Sequence, residues 1–200
     1  MEPVKIVSGR GMPLDRSDVD TDQIIPAEWL KRVERSGFGA GLFASWRDEP
    51  GFVLNRPAHA GATILVAGRN FGVGSSREHA VWALVDFGFR AVISPRFGDI
   101  FRNNAIRSGL VPAQVSSDLG KKVMEATMRN PESEIWVDVQ KLTVEVPGEG
   151  IGGPFLLDPA ARHRLLEGLD DIGVTLRHAD QIDRYESGRA QWLPSASARA

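Results

Sequence analysis

The sequence predicts an α/β domain with mixed sheets, and three observations carry that expectation. Apolar runs at Ala62–Ala67 and Ala91–Ser94 flank a helical stretch that ends at Gly88, the spacing of a βαβ unit with a parallel strand pair and a right-handed crossover. Glu134–Val139 and Lys141–Val146 alternate apolar with polar residues, as two half-buried strands in an antiparallel pair do. Several stretches, Phe97–Ser108 and Pro159–Gly168 among them, carry helical patterning.

In chain order, Lys5–Ser8 reads as a short strand. Arg10–Thr21 is polar and acidic, and Gln23–Ile25 turns apolar before Pro26. Pro26 suits the first turn of a short helix over Pro26–Arg32, where its missing N–H costs nothing. Ser36–Gly41 holds three glycines in six residues and reads as a mobile loop. Ala62–Ala67 is a buried strand, and Gly68–Gly74 a turn-rich loop. Ser75-Ser76-Arg77-Glu78 has the pattern of a capping box in which Ser75 and Glu78 satisfy each other's backbone donors. The helix it opens runs to Phe87, with Gly88 as terminator. Its body, Ala80–Val85, is apolar on nearly every side and belongs in the core. Ala91–Ser94 is the next strand, and Phe97–Ser108 a helix closed by Gly109. Ser117–Met128 is a further helix, Pro159–Gly168 an amphipathic one, and Ala179–Glu186 another. The expected unit is one domain over residues 1–193, with a frayed tail from Pro194.

Composition narrows the function. A chain of 200 residues with net charge −2 and no basic stripe gives no reason to expect a nucleic-acid or membrane partner. The start lacks a signal-peptide pattern and no run approaches the length of a membrane span, so the cytoplasm is the expected compartment. There is no cysteine, which excludes disulfides, a cysteine nucleophile and thiolate ligands for zinc or an iron–sulfur cluster. The four histidines are scattered, so no metal site is expected on this chain.

The strongest local signal is Gly72-Val73-Gly74-Ser75-Ser76-Arg77-Glu78-His79. A glycine-rich turn here delivers two hydroxyls and a guanidinium to a helix N-terminus, where free N–H groups and the helix dipole attract anions. Gly72 and Gly74 let backbone approach a ligand closely. The Arg77 fork matches a carboxylate. The residues alone therefore read as a carboxylate or phosphate site. They form neither a Walker loop nor a dinucleotide fingerprint, since the required lysine and glycine spacings are missing.

The same octapeptide resembles the signature of the swivelling domain of the aconitase superfamily. Its flanks agree: Asn70-Phe71 before it, Ala80-Val81-Trp82-Ala83-Leu84 after it, and Ser94–Asn104 further on. Val19-Asp20-Thr21-Asp22-Gln23-Ile24-Ile25-Pro26, Trp29-Leu30-Lys31 and Leu165–Ile172 resemble the small subunits of bacterial isopropylmalate dehydratases. The resemblance spans nearly the whole chain. It implies a single swivelling β/β/α domain in three layers. It implies a hydro-lyase subunit of leucine biosynthesis that interconverts 2- and 3-isopropylmalate together with a large subunit. The [4Fe-4S] cluster, a Lewis acid for the departing hydroxyl, would sit on that partner, in keeping with a chain free of cysteine.

Residue by residue, the resemblance makes Ser75 the base that removes the carbon-bound proton, its alkoxide favoured by Arg77 and the helix N-terminus. Ser76 and Arg77 would bind a substrate carboxylate. Lys31 or Arg32 would meet the far carboxylate, and Ile24, Ile25 and Leu30 would wall the isopropyl group. Asp22, or in competition Asp20, would orient Arg77. His79 lies one turn beyond Ser75 as a supporting residue, and Glu78 is the capping partner. A related hydro-lyase acting on homoaconitate or a methylated malate, and a non-catalytic anion-binding module, are the alternatives.

Overall fold

The computed structural model describes residues 1–31, 36–75, 77–190 and 192–193. Arg32, Ser76 and the 194–200 tail lie outside the described residues. Among the described residues, seven strands form one closed ring. Strands β1 (Ile6–Leu14), β2 (Ile64–Ala67), β3 (Ala91–Ser94) and β4 (Val111–Val115) pair in parallel in that order. Strands β5 (Glu134–Asp138), β6 (Thr143–Val146) and β7 (Ile151–Leu156) pair antiparallel, and the ring closes through β4–β7 and β5–β1.

The helices are α1 (Thr21–Ile24), α2 (Ala44–Arg47), α3 (Glu78–Phe87), α4 (Asp99–Arg107), α5 (Ser117–Arg129), α6 (Pro159–Glu167), α7 (Asp171–Leu176) and α8 (Ala179–Ser187). None is long and apolar enough to cross a membrane. Helix α3 connects β2 to β3, completing the βαβ unit that the sequence predicts.

Burial explains the continuous apolar runs. Every residue of β2 and β3 is buried, because each face of the parallel sheet has its own cover. Ile64, Val66, Ala91, Ile93, Val111 and Ala113 pack with Ile135, Val137, Val144 and Val146 of the antiparallel strands and with Leu119 and Val123 of α5. Leu65, Ala67 and Val92 instead join Ala80, Val81 and Leu84 of α3, together with Phe38, Leu42, Phe43 and Phe52. Helix, parallel sheet and antiparallel sheet are thus the three layers.

Several elements differ from the sequence reading. Strand β1 runs to Leu14 rather than Ser8. Its Gly9, Gly11 and Pro13 look like turn residues. The glycines instead give space: a Cβ on Gly9 would lie 2.3 Å from Thr63 Oγ1, and one on Gly11 2.6 Å from Ile135 Cδ1. Strands β4 and β7 go unread because Pro112, Gly152, Gly153 and Pro154 break their patterns. The Pro26–Arg32 helix is a 3-10 turn over Ala27–Lys31. The Ser36–Gly41 segment contains a packed 3-10 turn, Phe38–Gly41, with Phe38 buried against the core. Asp86 of α3 accepts the Gly39 N–H at 2.8 Å, and Arg47 donates to the Gly39 carbonyl at 3.1 Å.

The expected Ser75–Glu78 capping box does not form. Helix α3 starts at Glu78, with Arg77 as its N-cap in extended conformation and no side-chain cap. A capping box appears instead at α1, where the Asp20 carboxylate accepts from Gln23 N and the Gln23 side chain accepts from Asp20 N. Asp20 is thereby committed to its own helix.

Candidate active site

The loop that leaves β2 carries the octapeptide, so the site sits beyond the carboxyl end of a parallel strand, the usual place for a ligand crevice in such sheets. Its path is held from two sides. On one side, Phe71 bridges to Phe97, with its N–H on the Arg96 carbonyl at 3.0 Å and its carbonyl taking the Gly98 N–H at 2.9 Å. On the other, Gly72 N–H donates to the Val19 carbonyl at 2.8 Å and Thr21 N–H to the Val73 carbonyl at 3.0 Å. Asn70 adds a side-chain bond to Asp18 at 2.6 Å.

Gly72 has φ +73, and a Cβ there would fall 2.3 Å from Phe101 Cγ. Gly74 has φ +88 and more room, with Asp20 Cβ at 3.3 Å. Both need glycine for the left-handed backbone, and Gly72 needs it for contact as well.

This frame brings Ser75 and Arg77 up against α1. Thr21, itself buried, donates its hydroxyl to the Ser75 carbonyl at 2.8 Å and fixes the loop just where the serine emerges. Ser75 is exposed. Arg77 Nη1 pairs with Asp22 Oδ1; the Arg77 side chain is 20% exposed and that of Asp22 52%. The competition between Asp20 and Asp22 is thereby resolved in contact terms: Asp20 caps α1 and Asp22 meets Arg77.

Among the described residues no side chain caps α3; Ala80 N–H donates to the Arg77 carbonyl at 3.2 Å, and the positive dipole end of the helix lies beside Ser75 and Arg77. Such an arrangement favours negative charge in two ways, through the dipole and through the guanidinium. An anionic ligand or a serine alkoxide gains from both.

His79 lies edge-on to Phe38, ring centroids 5.4 Å apart, and 4.6 Å from the Trp82 ring. It buttresses the first turn of α3 against the Phe38–Gly41 turn. Glu78 is exposed and has no capping role. Lys31 is exposed at the end of its 3-10 turn, and Leu30 is half-buried. Ile24 and Ile25 are corrections: both are fully buried in the core and offer no surface to a substrate. They anchor α1 beneath the site. Trp29 packs over Gly41, whose Cβ would meet the indole at 2.4 Å. Ser76 and Arg32 fall outside the described residues.

Sequence reasoning missed Thr21, which fixes the Ser75 loop, and Asp86, which holds the Phe38–Gly41 turn against α3. The Asp20-x-x-Gln23 spacing is a capping signature that could have located α1.

The family model of the aconitase C-terminal domain matches residues 1–118, and the model of the C-terminal domain of 3-isopropylmalate dehydratase small subunits matches residues 171–194. The 3-isopropylmalate dehydratase small subunit of Frankia alni is 59% identical over 98% of this chain and 100% of its own length. That of Rubrobacter xylanophilus is 51% identical, over 97% of this chain and 98% of its own. The chain belongs to the family of 3-isopropylmalate dehydratase small subunits. Membership places it among the hydro-lyases of aconitase type and implies a large-subunit partner. The fold agrees: the crystal structure of the 3-isopropylmalate dehydratase LeuD of Methanocaldococcus jannaschii aligns with a TM-score of 0.68 at 26% identity, over 90% of this chain and 99% of that one. The three-layer β/β/α expectation and the small-subunit resemblance are both borne out.

Proposed function

We propose that this chain, together with a large subunit, forms an enzyme that interconverts 2-isopropylmalate and 3-isopropylmalate by dehydration and rehydration. The observation that carries the reading is Ser75 held beside Arg77 at the N-terminus of α3, which no side chain among the described residues caps, with Arg77 paired to Asp22.

In this reading Ser75 Oγ takes the carbon-bound proton of the hydroxy-diacid and returns a proton in the reverse direction. A neutral serine hydroxyl is a weak base, so the proton is taken by the Ser75 alkoxide, which becomes the hydroxyl as it does so, and the alkoxide's negative charge before the transfer must be stabilised. Arg77 and the N–H groups of α3 supply that stabilisation. Arg77 with Ser76 also holds a substrate carboxylate, while Lys31 or Arg32 meets the far one and Leu30 borders the alkyl group. Asp22 fixes the guanidinium plane so that its free edge faces the substrate. The iron–sulfur cluster belongs on the large partner, since a chain without cysteine has no thiolate with which to hold it.

Mixing the purified chain with a cluster-loaded large subunit tests the reading. Turnover of 2-isopropylmalate that requires both chains supports it. Turnover of homoaconitate or citramalate instead keeps the mechanism and changes the substrate. Failure of a competent partner to act on any of the three sinks the enzymatic reading.

A further inference from the structure

A second basic recess lies on the other flank of the Gly68–Gly74 loop. It is a cavity of about 430 Å³ at the carboxyl ends of β2, β3 and β4, and Arg69, Arg96, Arg102, Gln114 and Ser117 line it together with Asp99. Three guanidinium groups thus face one carboxylate. Neither the Arg69 nor the Arg96 side chain has an ion pair among the described residues, and Arg102 reaches Asp99 only at 3.9 Å. Arg102 Nε is buried and lacks any hydrogen-bond partner among the described residues. A buried donor of this kind costs free energy unless an acceptor arrives. Ser117, in the first turn of the 13-residue α5, also lines the recess, and that turn is capped by Ser116, whose hydroxyl oxygen accepts from Leu119 N–H at 3.2 Å.

We infer that this recess is an accessory anion site that takes a doubly charged group, phosphoryl or dicarboxylate, through Arg96 and Arg102. Excess positive charge, forked donors and an unfilled buried N–H are the requirements for binding such a group. The recess is concave and small, which favours a metabolite-sized anion over a protein surface. The site is separate from Ser75 and Arg77 and does not depend on the dehydratase reading.

Calorimetric titration of the full chain at low ionic strength tests the site, with inorganic phosphate in one arm and 2-isopropylmalate in the other. Each arm compares wild type, R96Q with R102Q, a charge-matched control R184Q with R189Q on the remote α8 end, and R77Q. Saturable binding that survives in the control and in R77Q, and weakens at least tenfold in R96Q with R102Q, establishes the site. The arm that shows it identifies the anion as phosphoryl or dicarboxylate. Absence of saturable binding in both arms, or equal binding by the R96Q/R102Q variant, overturns the inference. So does loss of large-subunit association in that variant when neither anion binds, because the arginines then serve a protein interface.

Discussion

Replacing Gly72 by alanine separates two demands that the candidate-site loop makes on one residue. The backbone at φ +73 costs an L-residue about 1–2 kcal/mol. The new Cβ also enters the Phe101 ring, 2.3 Å from Cγ and 2.6 Å from Cβ, a core overlap worth about 1–3 kcal/mol if Phe101 is to move. Their sum is about 2–5 kcal/mol, and about 3 kcal/mol where Phe101 shifts with little strain. Gly74→Ala meets only the first cost, since Asp20 Cβ at 3.3 Å can yield by a few tenths of an ångström. For a chain of this size one kcal/mol is worth roughly 2–4 °C in Tm, so Gly72→Ala should melt roughly 6–12 °C lower and Gly74→Ala only a few degrees lower. Urea unfolding followed by tryptophan fluorescence gives the same comparison at fixed temperature. Equal losses for the two variants would refute the claim that the Phe101 contact, rather than backbone conformation alone, dictates Gly72.

Other expectations follow from burial and charge. Ile24→Ala should cost about 2–5 kcal/mol by opening a core cavity, whereas Leu30→Ala should leave melting nearly unchanged and alter substrate preference in the assembled enzyme; thermal melts and KM values read the two effects. Asp22→Asn should change stability by under about 1 kcal/mol, because the pair is half in water, yet raise the substrate KM roughly tenfold or more as Arg77 loses its charge-assisted partner. Desolvation holds the His59 imidazole below its ordinary value of 6.5, and Arg56 and Arg10 push the same way against the Gly11 carbonyl. Protonation therefore favours the unfolded chain, so stability that is full above about pH 6.5 falls as pH drops below it, and His59→Gln should flatten that acid limb in pH-dependent melts. The Gly39 amide, bonded to Asp86, should exchange slowly in the free subunit, and Asp86→Ala should release it.

How much of this is legible in the sequence depends on where the information resides. Strands β2 and β3 read cleanly because burial on both faces writes an unbroken apolar run. Strands β1 and β7 are obscured by glycines that serve packing: Gly11 admits Ile135 and Thr127, and Gly153 admits Leu119. From the strand's own residues such glycines cannot be told from turn glycines, because the partner side chains lie far away in sequence. The Phe38–Gly41 turn misleads for the same reason. Its order comes chiefly from Asp86 and a face of α3, both distant in sequence, with Arg47 a few residues on adding a bond to the Gly39 carbonyl.

At the site, the octapeptide locates Ser75 and Arg77, and the aspartate-rich segment before Pro26 supplies Asp22. The capping box is a local pattern that tertiary contacts override. The Ser75 carbonyl is drawn to Thr21, and the helix begins after Arg77 instead. Ile24 and Ile25 look like substrate contacts because they are apolar and near the motif. Proximity in sequence does not distinguish a pocket wall from the core beneath it, and their burial does.

The central claim is that this chain supplies the base, and hydrogen exchange at carbon tests it most directly. The assembled enzyme is incubated with 3-isopropylmalate in deuterium oxide, and label entering the carbon-bound position is followed by NMR for wild type and Ser75→Ala. The expected result is exchange in wild type and a loss of at least about a hundredfold in the variant, with large-subunit association and substrate binding retained. Unchanged exchange in a fully assembled Ser75→Ala enzyme would contradict the claim and move the base to another residue.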